Sequence, residues 1–129
     1  MAYTIDRTFS ATSFEDVTER TRKALADHGF GVLTEIDVAA TMKKKLDKDM
    51  PAYLILGACN PSMAYQAIGI EPCIGAMLPC NVIIRDTGKS EVTVSAVDPV
   101  ASMQAVGNDK LTAVAGEVRT MLENTVRDI

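Results

Sequence analysis

The sequence has no tryptophan, a single histidine (His28), and three cysteines with no Cys-x-x-Cys spacing. A closed zinc site needs four nitrogen or sulfur ligands and a disulfide framework needs an even cysteine set, so neither is expected to organise this chain. Free cysteines in odd number suit a reducing compartment, and a cytoplasmic location is expected. Aromatic residues make up 5% of the chain and the formal net charge is -4. Both values argue against nucleic-acid binding, which needs a basic face with stacking side chains. Apolar runs are broken by Asn60-Pro61 and Glu71-Pro72 before they reach the roughly 18 residues of a membrane span, so no membrane partner is expected. Met1 to Arg7 has no basic start followed by an apolar run, which speaks against a signal peptide. Glycine-rich phosphate loops, Gly-x-Ser-x-Gly elbows and His-Glu-x-x-His helices are also missing, and the sequence points to no particular cofactor.

What is present is enough for one domain over residues 1–129: 47% of the residues are hydrophobic, and a chain of this length buries about two thirds of its unfolded surface. Tyr3, Ile5, Arg7 and Phe9 alternate with Thr4, Asp6 and Thr8, which predicts an opening strand. Ser13 followed by Asp16 marks a helix start, and Phe14, Val17, Thr21, Leu25 and His28 keep helical spacing up to Gly29. Strand character returns over Val32–Val38, and Val38, Met42 and Leu46 then suggest a short helix. Residues Ala52 to Ala58 are apolar throughout instead of alternating, so this central strand should be covered on both faces. Asn60 and Pro61 have the chemistry of a helix cap and first turn, with Gly69 and Pro72 as stops. Val82–Arg85 and Val92–Val97 flank a glycine-containing turn and should pair antiparallel. Leu111, Val114, Ala115, Val118, Met121, Leu122, Thr125 and Val126 form the stripe of a long final helix. The expected class is α+β: a five-stranded, mainly antiparallel sheet with two long helices on one face and short helical insertions. The other face is left for an insertion or a second copy, and a homodimer is expected.

Two Cys-Asn pairs border strand ends, Cys59-Asn60 and Cys80-Asn81, and they become neighbours if those ends meet. Cys59 precedes a helix start, where unpaired N–H groups and the dipole favour a thiolate, which makes Cys59 and Cys80 the candidates for thiol chemistry. The alternative is that both are small core-filling residues. Glu35 and Asp37 lie two apart on a strand and therefore on one face, and Asp98 ends the last strand; paired carboxylates can bind a cation or exchange protons. Helix capping by Asp37 and an ordinary turn at Asp98-Pro99 are the competing local roles. Lysines at 43, 44, 45 and 48 either attract an anion or form a solvated face. Cys59, Met63, Met77 and Cys80 compose a soft-metal set of the kind that suits copper(I), against the alternative of methionines filling core gaps. His28 reads as a cation meeting the carbonyls at the end of its helix.

The motifs Gly29 to Val38, Lys43-Lys44-Lys45-Leu46, Leu56-Gly57-Ala58-Cys59-Asn60-Pro61, Glu71-Pro72, Leu78-Pro79-Cys80-Asn81-Val82 and Asp98-Pro99 occur in an order that resembles the domain-of-unknown-function 302 family of bacteria and archaea. The likeness spans essentially the whole chain and departs at Asp47, where a glycine is expected. It implies a β-α-β4-α fold like one repeat of the TATA-binding protein, and a homodimer. Fold alone does not transfer DNA binding. The family supplies no activity, so Glu35, Asp37, Lys45, Cys59, Asn60, Cys80, Asn81 and Asp98 enter as its candidates for a shared site. Two functions remain open: a dimer that binds a small molecule or soft metal through its Cys and Asn residues, with a thiol-dependent reaction as the enzymatic version, or a non-catalytic interaction module whose motifs only end strands and cap helices.

Overall fold

Alternation, caps and stripes become the expected elements in the computed structural model, which describes residues 2–129. The strands are β1 (Thr4–Ser10), β2 (Gly31–Asp37), β3 (Tyr53–Cys59), β4 (Cys80–Asp86) and β5 (Glu91–Val97); the helices are α1 (Phe14–Asp27), α2 (Val38–Leu46), α3 (Pro61–Ile70), α4 (Pro99–Met103) and α5 (Thr112–Arg127). Single 3-10 segments at Pro72–Met77 and Asp109–Leu111 precede β4 and α5. Ser13 caps α1 by accepting the Asp16 N–H, and Gly29 ends it with φ +84°, a conformation that glycine adopts without steric cost. Among the described residues no helix is long and apolar enough to cross a membrane.

The five strands form one sheet in the order β1-β5-β4-β3-β2, and every neighbouring pair is antiparallel. Register then assigns the faces, because side chains alternate along a strand. Leu54, Leu56 and Ala58 of β3 lie across from Ile84, Val82 and Cys80 of β4, and Val82 and Ile84 lie across from Ala96 and Val94 of β5. All of these point to the side covered by α1, through Val17, Ala24 and Leu25, and by α5, through Val118, Leu122 and Val126. Leu111, expected in this core, instead belongs to a second, smaller cluster with Ala67 and Ile74, because the 3-10 segment before α5 turns it away from the sheet. Phe14 packs against the main core but is only partly buried.

Two contacts fix the long helices to each other and to the edge strand. Arg7 of β1 donates from Nη1 to the carbonyls of Val126 (3.2 Å), Arg127 (2.6 Å) and Ile129 (3.1 Å), which satisfies acceptors that the end of a helix leaves open. Its guanidinium and that of Arg20 also lie over the Phe9 ring, at 4.6 and 5.0 Å from the centroid. His28 reaches past the end of its own helix to Asp128, Nε2 to Oδ2 2.8 Å, so it ties α1 to the end of α5 instead of meeting only its own carbonyls. This hydrogen bond holds the Asp128 carboxyl below its usual range.

The second face of β3 is closed locally at one position. A Cβ at Gly57 would collide with Thr34 Oγ1 and lie 2.7 Å from Pro79 Cγ, so the close approach of β2 and of the segment before β4 requires glycine there. On the helix side, Leu56 is fully buried. Leu56→Ala should lower stability by about 2–5 kcal/mol through lost transfer energy and the cavity left behind, measured as a shifted urea midpoint with unchanged slope. A loss below about 1 kcal/mol would contradict the burial of Leu56.

Candidate functional site

One end of the sheet gathers most of the chemistry. Asn60 caps α3, its Oδ1 accepting the Met63 N–H at 3.1 Å while its Nδ2 donates to the Gly29 carbonyl at 3.0 Å. Both ends of this amide are thereby committed, and the Met63 N–H is taken by the cap and not aimed at the Cys59 thiol. Asp98 repeats the same device at the end of β5. Its Oδ1 accepts from Val100 N (2.9 Å) and Ala101 N (3.4 Å), Pro99 supplies the first residue of α4, and Oδ2 pairs with Arg119 Nε at 3.1 Å. Asp98-Pro99 is therefore a helix start, and the turn role expected for it is corrected.

Between these two caps lies a cavity of about 40 Å³ lined by Cys59, Asn60, Met63 and Cys80 together with apolar side chains of α3, α4 and α5. It follows the seam between the two hydrophobic clusters. Phe30, Ala58 and Val118 on its wall belong to the main core, whereas Ala67 and Leu111 belong to the smaller one, with Leu78, Met103 and Val114 packed against it. Seams of this kind are where interior packing is least complete, and ligand pockets are apolar clefts with a few convergent polar groups.

Burial pushes the Cys80 thiol up to about 11, and the neighbouring Cys59 adds to the rise. Cys80 is consequently a neutral thiol at neutral pH, in keeping with the alternative reading of a core-filling cysteine. Apolar surroundings dominate because Cys80 shares the inward face with Ala58, Val82 and Ile84.

The other predicted site residues are not brought to this cavity. Asn81 follows Cys80 on the strand and so points to the opposite face, across from Gly57, where it lines a wide open groove. Glu35 and Asp37 do share the helix-side face, across from Leu56 and Leu54, but each is committed locally: Glu35 Oε1 accepts from Arg22 Nη2 at 2.6 Å, and Asp37 caps α2 by accepting the Ala40 N–H at 2.9 Å. Lys45 is exposed on α2, which leaves the sheet where Asp37 pairs with Leu54. Lys43, Lys44, Lys45 and Lys48 do not line the cavity. Lys43 is paired with Asp47 and Asp49 at 2.9 and 3.2 Å. Of the soft-metal set, Met63 and Cys80 line the cavity; Cys59 borders it at the end of β3, where strand alternation after the inward Ala58 turns its side chain to the other face, and Met77 lies outside it, 39% exposed on the 3-10 segment. Among the described residues no three His, Cys, Asp or Glu side chains form a group that could hold a metal ion.

Sequence reasoning missed the far wall of the cavity, built by Pro99, Met103, Val114 and Ala115. A signal for it was available, since Asp98-Pro99 carries the same cap-and-proline signature as Asn60-Pro61.

Against known sequences, the profile described as domain of unknown function DUF302 matches residues 5–129. No curated protein matches the chain. Among solved structures, an uncharacterized conserved DUF302 protein from Bacillus stearothermophilus superposes with a TM-score of 0.91 at 20% identity, covering 99% of this chain and 98% of that one. At that identity the likeness is one of fold.

The pH behaviour of Cys80 follows from its surroundings. With iodoacetamide at pH 7 the exposed Cys73 should react first, and the Cys80 rate should climb about tenfold per pH unit toward 11 as thiolate forms. The unfolded chain loses this proton near the ordinary value of 9.0 and the folded chain only near 11, so the Cys80 contribution to stability is full below about pH 9 and is lost as pH rises through 11. Alkylation of Cys80 as fast as that of Cys73 at pH 7 would contradict its burial.

Proposed function

This chain belongs to the DUF302 family, a domain of unknown function, and we propose from its own site that it is a binding protein that holds a small ligand at the thiol-lined cavity between β3, β4, α3, α4 and α5. The observation that carries this reading is the convergence of Asn60, Met63 and Cys80 on one cavity whose remaining wall is apolar. Binding is favoured over catalysis on chemical grounds. Cys80 is a neutral thiol, the Asn60 amide is engaged at both ends, and His28 is occupied with Asp128. A thiol nucleophile is activated by a neighbouring base or cation, and no basic or cationic side chain lines the cavity.

Size narrows the ligand. A water-sized probe occupies about 10–15 Å³ and a cavity that binds benzene measures about 150 Å³, so 40 Å³ suits an ion or a molecule of a few heavy atoms. Drug-sized ligands need about 300 Å³ or more.

The reading includes a homodimer. Across the sheet, Asp6, Ser95, Ile83, Ile55 and Ile36 form one row on the face away from α1 and α5, and Ile36 is 50% exposed. Covering these isoleucines with a second copy removes apolar surface from water. Asp6 and Arg85 give the groove on this face one charge of each sign, which also supports the expectation that it does not grip nucleic acid.

Two measurements check the proposal. Native mass spectrometry of freshly purified protein should retain a low-mass adduct that Ala115→Val, which fills the cavity wall, abolishes while the fold persists by circular dichroism. Absence of any adduct, together with no thermal shift from small apolar or thiophilic compounds, would count against a ligand site. Light scattering after gel filtration should give the mass of two chains at micromolar concentration, and of one chain for Ile36→Asp; a single-chain mass for the unmodified protein would remove the dimer.

A further inference from the structure

The cavity has a neighbour on its α4 side. A groove of about 240 Å³ lies between α4 and the start of α5, and Met103, Leu111 and Ala115 line both spaces. These side chains are therefore the partition between them. Leu111 is 2% and Ala115 6% exposed, the first held in the smaller cluster and the second short and fixed to α5. Met103 differs: it ends a five-residue helix, is only partly buried, and has a flexible, unbranched side chain. Asn108 ties the rim of the groove to the end of α3, its Nδ2 donating to Glu71 Oε1 at 3.2 Å and its Oδ1 accepting the Lys110 N–H at 3.0 Å. The rim is thus held while Met103 is free to change rotamer. We propose that cavity and groove are two halves of one site, joined when Met103 swings aside, for an uncharged amphiphile with a short unbranched hydrocarbon chain and a hydroxyl or amide head. The inference rests on the cavity being the binding site and goes beyond that reading by naming the ligand class and its orientation.

The two halves differ in what they can solvate. The cavity wall holds no charged side chain, and its one amide, Asn60, is engaged at both ends. A hydrocarbon chain there leaves water for an apolar wall, whereas a charged group would be buried without a partner. The groove adds Gln104, Asn108, Asp109 and Thr112, which offer hydrogen-bond donors and acceptors to a polar head. Its electrostatics favour a neutral one. Asp109 lies in the first turn of the 3-10 segment that runs directly into α5, so a carboxylate and the positive end of a sixteen-residue helix meet at the same place. An anionic head would be opposed by the first and a cationic head by the second. Size agrees with this orientation: about 40 Å³ has room for a few carbon atoms, and the wider groove takes the head. A branched chain would need Leu111 or Ala115 to move as well as Met103, and both of those are fixed.

The test is an NMR titration of the full chain, labelled with methyl-13C methionine, with 1-pentanol. The methyl signals of Met63 and Met103, which line the cavity, should shift together in one saturable step, and that of Met42 on α2 should not move. Pentanoate and pentylammonium should each bind at least about tenfold more weakly, since neither charge finds a partner in the site. The branched isomer 2-methyl-2-butanol should also bind more weakly than 1-pentanol. Thr112→Trp, at an exposed position that lines the groove and not the cavity, should weaken 1-pentanol but leave unchanged the binding of xenon in the cavity, read at Met63. A shift at Met63 without Met103, an ion that binds as well as the alcohol, or a 1-pentanol affinity untouched by Thr112→Trp overturns the two-part site. Xenon bound in the cavity without 1-pentanol binding overturns this inference alone and leaves the binding reading standing; binding of neither overturns both.

Discussion

The pairing of β3 with β4 decides what the rest of the molecule can do. With Leu56 across from Val82 and Ala58 across from Cys80, the apolar members of both strands face the helices, and Cys80 is drawn inward with them. A slip of β4 by one residue would turn Asn81 into the core and expose Val82 and Ile84, an exchange of apolar for unsatisfied polar surface that the burial of this face forbids. The same register fixes where β3 and β4 meet α3 and the 3-10 segment, and so brings Cys59, Asn60 and Cys80 to one end of the sheet. Gly57 supports it from behind, because any side chain there would meet Thr34 and Pro79.

Local chemistry made many of the elements legible. Ser13 and Gly29 bracket α1, Asn60-Pro61 starts α3, and the glycine-containing turn joins β4 to β5, each through hydrogen bonds or backbone freedom that act within a few residues. Facing and long-range approach were less legible. Cys80 and Asn81 are one motif in the sequence, yet they end on opposite faces, and nothing within the motif says which one turns inward. Lys45 belongs to the same ordered run of motifs as Cys59, yet it is exposed on α2 and does not line the cavity. Glu35 and Asp37 share a face as their spacing demands, although salt bridging and capping occupy them. The helix at Pro99–Met103 was hidden because Asp-Pro suits both a turn and a helix start, and only the Asp98 side chain accepting from Val100 and Ala101 distinguishes the two.

The cavity exists because two clusters with different origins abut. Sheet, α1 and α5 close the larger one, while α3, the 3-10 segments and the start of α5 close the smaller. Side chains on each side of the seam are fixed by their own cluster, so neither can move to fill the gap without losing contacts elsewhere. Low polarity at the seam keeps the Cys80 thiol neutral, which disfavours unassisted nucleophilic chemistry there and leaves sulfur available to a partner that brings its own driving force. Burial, thiol protonation and selectivity for soft or apolar ligands are thus consequences of one packing arrangement.

The central claim is that the Cys80 thiol is buried in the cavity wall, whereas Cys73 is exposed. Labelling with a small thiol reagent, followed by cyanogen bromide cleavage, tests it directly. Cleavage after Met50, Met63, Met77 and Met103 puts Cys59, Cys73 and Cys80 on separate fragments, 51–63, 64–77 and 78–103. The account predicts label on 64–77 first and on 78–103 only slowly, slower still in Ala115→Val, which narrows the cavity; label on 78–103 as fast as on 64–77, or a rate that Ala115→Val leaves unchanged, would contradict it.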